Sequence, residues 1–249
     1  MHRPFASTAF PVRLFSQRAA LTTTALVCLL LAAACSAPNV RNTNKRDTRR
    51  ADFGGAGLSE WVVEQQPGGS VTIDDDALLI TDVAGCTVWW REPLIAPVRI
   101  RYEVTVSSTG RVSDLNCFWM ATDPDHPTDL FAAGHGRTGQ FSTYDQLRLY
   151  YVGYGGNTNS TTRFRRYDGT GARPLDTQHD LQTPEFLLVP DHTYTIELNV
   201  TADGRVSYTR DGEVIYEIKD PAPLLRGWFG FRTVNSTTRV TAFEVVESP

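Results

Sequence analysis

The stretch of the 249-residue chain richest in reactive and ligand-binding side chains runs from Tyr144 to Tyr167, YDQLRLYYVGYGGNTNSTTRFRRY. Two runs in it alternate as strands do, with successive side chains on opposite faces. In the first, Gln146, Arg148, Tyr150 and Tyr154 share one side, and Leu147, Leu149 and Tyr151 share the other. After the loop GGNTNSTT, the second run sets Arg163, Arg165 and Tyr167 on one face and Thr162 and Phe164 on the other. As neighbouring strands, the two runs would gather guanidiniums, an amide and phenols on one surface. A guanidinium is a planar fork of donors matched to a carboxylate. A phenol adds a flat apolar body with a hydroxyl tip. Together they suit a glycan that carries uronic acids, and the same residues also fit a plain solvated antiparallel face.

Removing the proton α to a uronate carboxylate requires that the carboxylate be neutralised and that a base lie in reach. Gln146, Arg148 and Asn157 are of the neutralising types, Arg163 and Arg165 extend the binding surface, and Asn116 in SDLNCFWM is a further amide. His135, in the glycine-rich AAGHGRTGQ, and Tyr150 and Tyr154 are the candidate bases, although His135 fits a surface imidazole without a role equally well. Hydrolysis by two carboxylates is not indicated, because no Glu-x-Asp-x-x-Glu pattern or near variant occurs. A Gly-x-Ser-x-Gly elbow, a P-loop and zinc-type Cys/His spacing are also missing. Asp123, Asp125 and Asp129 in TDPDHPTD either offer oxygens to calcium or form a solvated acidic loop stiffened by Pro124 and Pro127. No other cofactor is expected.

These side chains need a scaffold, and the chain from Phe53 onward supplies strands. Thirteen strand-length runs separated by Gly, Asp and Asn punctuation lie between Ser59 and Val246, the pattern of an all-β sandwich or barrel. Ala202-Asp203-Gly204 and Asp211-Gly212 carry the signal of tight hairpin turns and predict a closing three-strand meander. Ahead of this domain, Arg3, Arg13 and Arg18 precede the 16-residue apolar run AALTTTALVCLLLAAA, a signal-peptide core too short for a comfortable span. Residues 1–34 therefore read as an export leader. Residues 35–52 read as a disordered tether, because SAPNVRNTNKRDTRRAD has five basic residues and no apolar periodicity. The formal charge of −4 becomes −7 without the leader and −10 on residues 53–249. So acidic a domain is a poor partner for nucleic acid.

Alanines leading into Cys35 resemble a bacterial lipobox, which implies lipidation of Cys35 and a protein anchored in the cell envelope, at an outer membrane or the cell surface; ordinary cleavage without a lipid is the alternative. YTIELNVTADGRVSYTRDGEVIYEIKDPAPLLRGWFGFRT resembles the closing strands of the concanavalin A-like lectin/glucanase jelly roll. Together with GCTVWW, SDLNCFWMATDP and LRLYYVGYGGNTNSTTRFRRY, it makes the chain similar to an uncharacterised bacterial family of exported, YesU-like proteins over about residues 53 to 247. The resemblance implies a jelly-roll β-sandwich of two antiparallel sheets over residues 53–249; a monomer with a polysaccharide or oligosaccharide ligand is expected. A carbohydrate-active protein that acts on or binds an acidic polysaccharide is expected, as an enzyme of polysaccharide lyase or glycoside hydrolase type with the lyase suiting the residues better, and with a non-catalytic lectin-like module or a surface lipoprotein as alternatives. Cys86 and Cys117 leave two possibilities open, one disulfide or two buried thiols.

Overall fold

The computed structural model describes residues 47–248, so the leader 1–34, Cys35 and the tether up to residue 46 lie outside the described residues. Sixteen strands follow one another: β1 (Asp47–Arg50), β2 (Trp61–Gln65), β3 (Ser70–Asp74), β4 (Ala77–Thr81), β5 (Cys86–Trp90), β6 (Leu94–Ile95), β7 (Val98–Val106), β8 (Leu115–Thr122), β9 (Arg148–Gly155), β10 (Thr161–Asp168), β11 (Asp180–Leu181), β12 (Thr193–Val200), β13 (Arg205–Arg210), β14 (Glu213–Lys219), β15 (Arg226–Thr233) and β16 (Thr237–Glu247). They form two eight-stranded antiparallel sheets. The first runs β14-β13-β12-β7-β16-β4-β3 with β1 also on β16, and the second runs β11-β10-β9-β8-β15-β5-β2 with β6 on β15. This is the expected all-β jelly-roll sandwich.

The first sheet alternates cleanly. In β7 the residues from Val98 to Val106 are buried at every second position, and in β12 the same holds from Tyr194 to Val200. Its inward rows meet those of the second sheet in one apolar core that includes Tyr102, Ile196, Trp119, Val152, Phe229 and Phe231. The meander β12-β13-β14 turns where the Asp-Gly signals stand, with φ of 85° at Gly204 and 51° and 83° at Asp211 and Gly212, values that suit Gly and Asp.

One expectation changes and one open alternative is resolved. The domain begins before Phe53, since Asp47–Arg50 pairs with Glu244–Glu247. Arg49 fastens this strand by reaching Glu92 at 2.7 Å and Glu247 at 2.8 Å. The cysteines are thiols. Cys86 opposes Thr233 and Cys117 opposes Phe231 on the two sides of β15. Two strand spacings, roughly 9 to 10 Å, thus separate them, beyond the ~7 Å that a disulfide spans between Cα atoms. Burial pushes both thiols up to about 12.

Asp220 links the sheets. Its carboxylate accepts from the Tyr150 hydroxyl at 2.7 Å, from Arg166 Nε at 2.6 Å and from the Ala222 amide at 2.9 Å. Burial pushes the acid up, but the Tyr150 and Arg166 hydrogen bonds outweigh it and hold the group below the usual carboxylate range. A lowered acid contributes stability above the unfolded value and loses it as pH falls through the folded one. We expect Asp220→Asn to cost on the order of 2 to 4 kcal/mol at neutral pH. In urea unfolding of both proteins, the gap should narrow below about pH 4.

Candidate functional site

The outer face of the second sheet carries two neighbouring lateral rows of side chains. One row is polar, with Glu64, Thr87, Arg232, Asn116, Gly153 and Arg163 following one another from β2 to β10 through direct register. The next is aromatic and apolar up to its last member, running Val62, Trp89, Gly230, Phe118, Tyr151 and Arg165. The segment 123–147 between β8 and β9 folds over the β2 end of these rows. Leu130, Tyr144 and Leu147 from that segment bury Trp89, Phe118, Leu149 and Trp228 in a second apolar cluster.

Charge holds this roof down. Arg137 is buried, with Nε 3.1 Å from Glu64 Oε1 and Nη1 3.4 Å from Asp123 Oδ2, while a further nitrogen donates to the Leu130 carbonyl. Trp89 Nε1 donates to the other Glu64 oxygen at 2.9 Å. Arg232, also buried, donates to the Gly139 carbonyl and stands 5.5 Å from the rings of both Phe141 and Tyr144. Phe141 carries Arg173 on it as well, 4.5 Å from its centroid.

Where the roof ends, a cleft of about 230 Å³ remains over β8, β9 and β10. Its floor is Asn116, Tyr151, Gly153, Arg163 and Arg165, and Phe141, Arg173, Asp114 and Asn157 rise around it. Gly153 is small for a reason: a Cβ there would sit 2.3 Å from the Tyr151 hydroxyl, so the ring lies across the glycine. Asn157, Thr158 and Asn159 form a left-handed turn with φ of 52°, 61° and 56°. Asn tolerates this region and Thr does not. The turn is held because Asn159 exchanges two hydrogen bonds, of 2.9 and 2.8 Å, with the Leu188 main chain, and Arg111 donates to the Thr158 hydroxyl at 3.0 Å.

The charges around the cleft are mostly compensated. Arg163 grips Asp180 with two hydrogen bonds of 2.9 and 3.1 Å, and this guanidinium is the first cause of the lowered Asp180 acid. Arg173 grips Asp145 with bonds of 2.6 and 2.8 Å. Asp114 takes Arg111 at 3.1 Å and the Ser113 hydroxyl at 2.5 Å. Arg165 has no carboxylate within ion-pair distance among the described residues and donates only to the Arg173 carbonyl. Asn116 is buried and gives its Nδ2 to Asp114 Oδ1 at 3.3 Å, and its Oδ1, out of reach of solvent, has no protein partner among the described residues.

Of the residues singled out from the sequence, Asn116, Asn157, Arg163 and Arg165 therefore line one cleft, and five others stand elsewhere. Tyr150 and Tyr154 point into the core between the sheets, so the half of β9 that faces the arginines is Tyr151 and Gly153. Burial pushes both core phenols far up. Arg148, at the start of β9, is exposed and donates to the Asp168 carbonyl at 3.3 Å, and Gln146 is exposed in the turn before it. His135 lies in the roof, with Nε2 3.8 Å from Glu64, and does not line the cleft. Sequence reasoning missed Asp114, Phe141, Tyr151 and Arg173; Asp114, two residues before Asn116 in DLN, carried a readable signal. Asp123 is spent on the Asp125 amide at 3.0 Å and on Arg137, and Asp129 on the Phe131 amide at 2.9 Å. Among the described residues no three His, Cys, Asp or Glu side chains gather to hold a metal.

Two stacked antiparallel sheets with a partly roofed outer face and a polar, aromatic cleft define a lectin/glucanase-type β-sandwich. The chain belongs to the family described as domain of unknown function DUF6250, whose model matches residues 80–243. Solved structures agree on the fold. A Bacillus subtilis protein of unknown function with a galectin-like fold is similar at 20% identity and TM-score 0.58, with 81% of this chain and 100% of that one covered. The carbohydrate binding module CBM66 from Bacillus subtilis is similar at 11% identity and TM-score 0.51, over 74% of this chain and 94% of that one. A prokaryotic β-1,3-1,4-glucanase (lichenase) derived from a mouse hindgut metagenome aligns at 13% identity and TM-score 0.51, over 81% and 99%. No curated protein matches the chain in sequence.

The Gly153–Tyr151 contact gives a direct test of the cleft floor. Gly153→Ala should drive the Tyr151 ring off the strand and, as an overpacking change, cost roughly 1 to 3 kcal/mol. Thermal unfolding should show the loss, and a crystal structure of the variant should show the ring displaced.

Proposed function

We propose that the cleft binds a carboxylated sugar, as the recognition site of a non-catalytic glycan-binding domain. The observation that carries this reading is Arg165, a guanidinium on the cleft floor without a carboxylate partner among the described residues. It stands beside Tyr151, its register partner on β9. A carboxylate can take the fork of Arg165. The Tyr151 ring on the cleft floor offers an apolar surface to the sugar's C–H face. The likeness of the fold to a carbohydrate-binding module supports a sugar as the ligand class.

Binding fits the residues better than cleavage does. A lyase needs a base in the carboxylate pocket, whereas Tyr150 and Tyr154 lie in the core and His135 lies in the roof. A glycoside hydrolase uses two flanking carboxylates, and Asp114, the one carboxylic acid on the described lining, is paired with Arg111. In this reading the leader and a lipidated Cys35 carry the domain to the cell envelope, with the glycan met outside the cell.

The test is binding of the protein to polygalacturonate, polymannuronate and a neutral glucan, measured by calorimetry. Arg165→Gln should weaken binding to an acidic glycan by on the order of 1 to 3 kcal/mol, the scale of a charge-assisted hydrogen bond. Arg148→Lys, outside the cleft, should bind like the parent. Equal binding of the neutral and acidic polymers, or an Arg165→Gln protein that binds as well as the parent, overturns the assignment.

A further inference from the structure

Resting on the glycan reading, we infer that the cleft takes the terminal unit of a chain and not an internal stretch. The outer face of the second sheet would be an open trough if it were bare. Instead its β2 end is sealed, since Trp89, Phe118, Leu130, Tyr144 and Leu147 are at most 2% exposed. The seal is built on charges that resist displacement: Arg137 between Glu64 and Asp123, and Arg232 on the Gly139 carbonyl.

The cleft is closed on a second side as well. Arg173 leaves the segment between β10 and β11, crosses to the roof, and clamps Asp145 with two hydrogen bonds of 2.6 and 2.8 Å while lying 4.5 Å over Phe141. A polymer laid along the sheet would have to break this bridge. The left-handed turn of Asn157–Asn159, pinned to the Leu188 main chain, stands at the end of β9. What remains is a cavity of about 230 Å³, smaller than the roughly 300 to 1,000 Å³ of sites that enclose a drug-sized ligand. That space suits one ring, with the rest of the chain leading away into solvent.

The geometry also explains the chemistry of the lining. Arg165 faces this space from β10, one strand from Tyr151 on β9. A single ring carrying one carboxylate can meet both at once. An internal unit, substituted at both ends, would need an exit on each side.

The experiment uses the full chain and two homologous series, galacturonate and mannuronate oligomers from one to eight units, followed by calorimetry and by native mass spectrometry for stoichiometry. End recognition predicts that the monosaccharide of the binding series keeps an affinity within about tenfold of the octamer, and that every length carries one protein per chain. Arg165→Gln should weaken monomer and octamer by the same factor. Affinity that rises steadily with length, with more than one protein on the longest chains, overturns end recognition and leaves the acidic-glycan reading standing. Binding by no member of either series, nor by their polymers, overturns both.

Discussion

Arg137 is the interaction on which the arrangement of the outer face depends. A guanidinium with its side chain 1% exposed, on the underside of segment 123–147, sits between Glu64 from the edge strand β2 and Asp123 just after β8. Three ionised groups out of water are costly unless each is paired and hydrogen-bonded. Here the second Glu64 oxygen is taken by Trp89, and the Leu130 carbonyl takes a further Arg137 donor. Lifting the roof would separate Arg137 from Glu64 and break a buried, hydrogen-bonded ion pair, which disfavours any conformation in which the roof lifts. The apolar cluster of Trp89, Phe118, Tyr144 and Trp228 forms under that roof, and the cleft lies where the roof stops.

A sheet covered on both faces hides its own orientation from the sequence. Strands buried on one face alternate, whereas strands buried on both read as continuous apolar runs. CTVWW, LNCFWMAT and RLYYVGYG are of the second kind, buried at nearly every position. In β9 both parities hold tyrosines, so alternation alone could not tell Tyr150 from Tyr151. What separates them is Asp220, seventy residues further on, which accepts the Tyr150 hydroxyl inside the sandwich. In β8 a bulge between Trp119 and Thr122 goes further: with Met120 at φ 52°, Trp119 and Met120 both face the inter-sheet core.

The fold was otherwise legible. Each of the thirteen expected runs corresponds to a strand, because the first sheet is half-solvated and the hairpins carry Asp and Gly at the positions that need positive φ. The three strands left unread, β1, β6 and β11, have no apolar pattern to read. DTRR pairs through its backbone and the ion pairs of Arg49, and the other two are two residues long. In the cleft, β10 was readable because Phe164 alone marks its buried side. The contributions of Phe141 and Arg173 were not readable, since each comes from an irregular segment placed by tertiary contacts. The Asn-Thr-Asn of the left-handed turn did signal itself, as Asn is among the few residues that accept that backbone.

The electrostatics of the cleft follow from the same economy of pairing. Residues 53–249 carry a formal −10, a field that would repel an anion at long range. At physiological ionic strength such fields fade over about 8 Å, so the contact distance decides. There, Arg163 and Arg173 are neutralised by Asp180 and Asp145, and their forks serve as rigid walls more than as charge. Arg232 adds a buried cation one strand from Asn116 without joining the lining. Arg165 is thus the arginine of the cleft lining without a carboxylate partner among the described residues. On the proposed reading such a site would discriminate by the position of one carboxylate relative to Arg165 and one aromatic ring, and its affinity should owe more to that geometry than to the net charge of the domain.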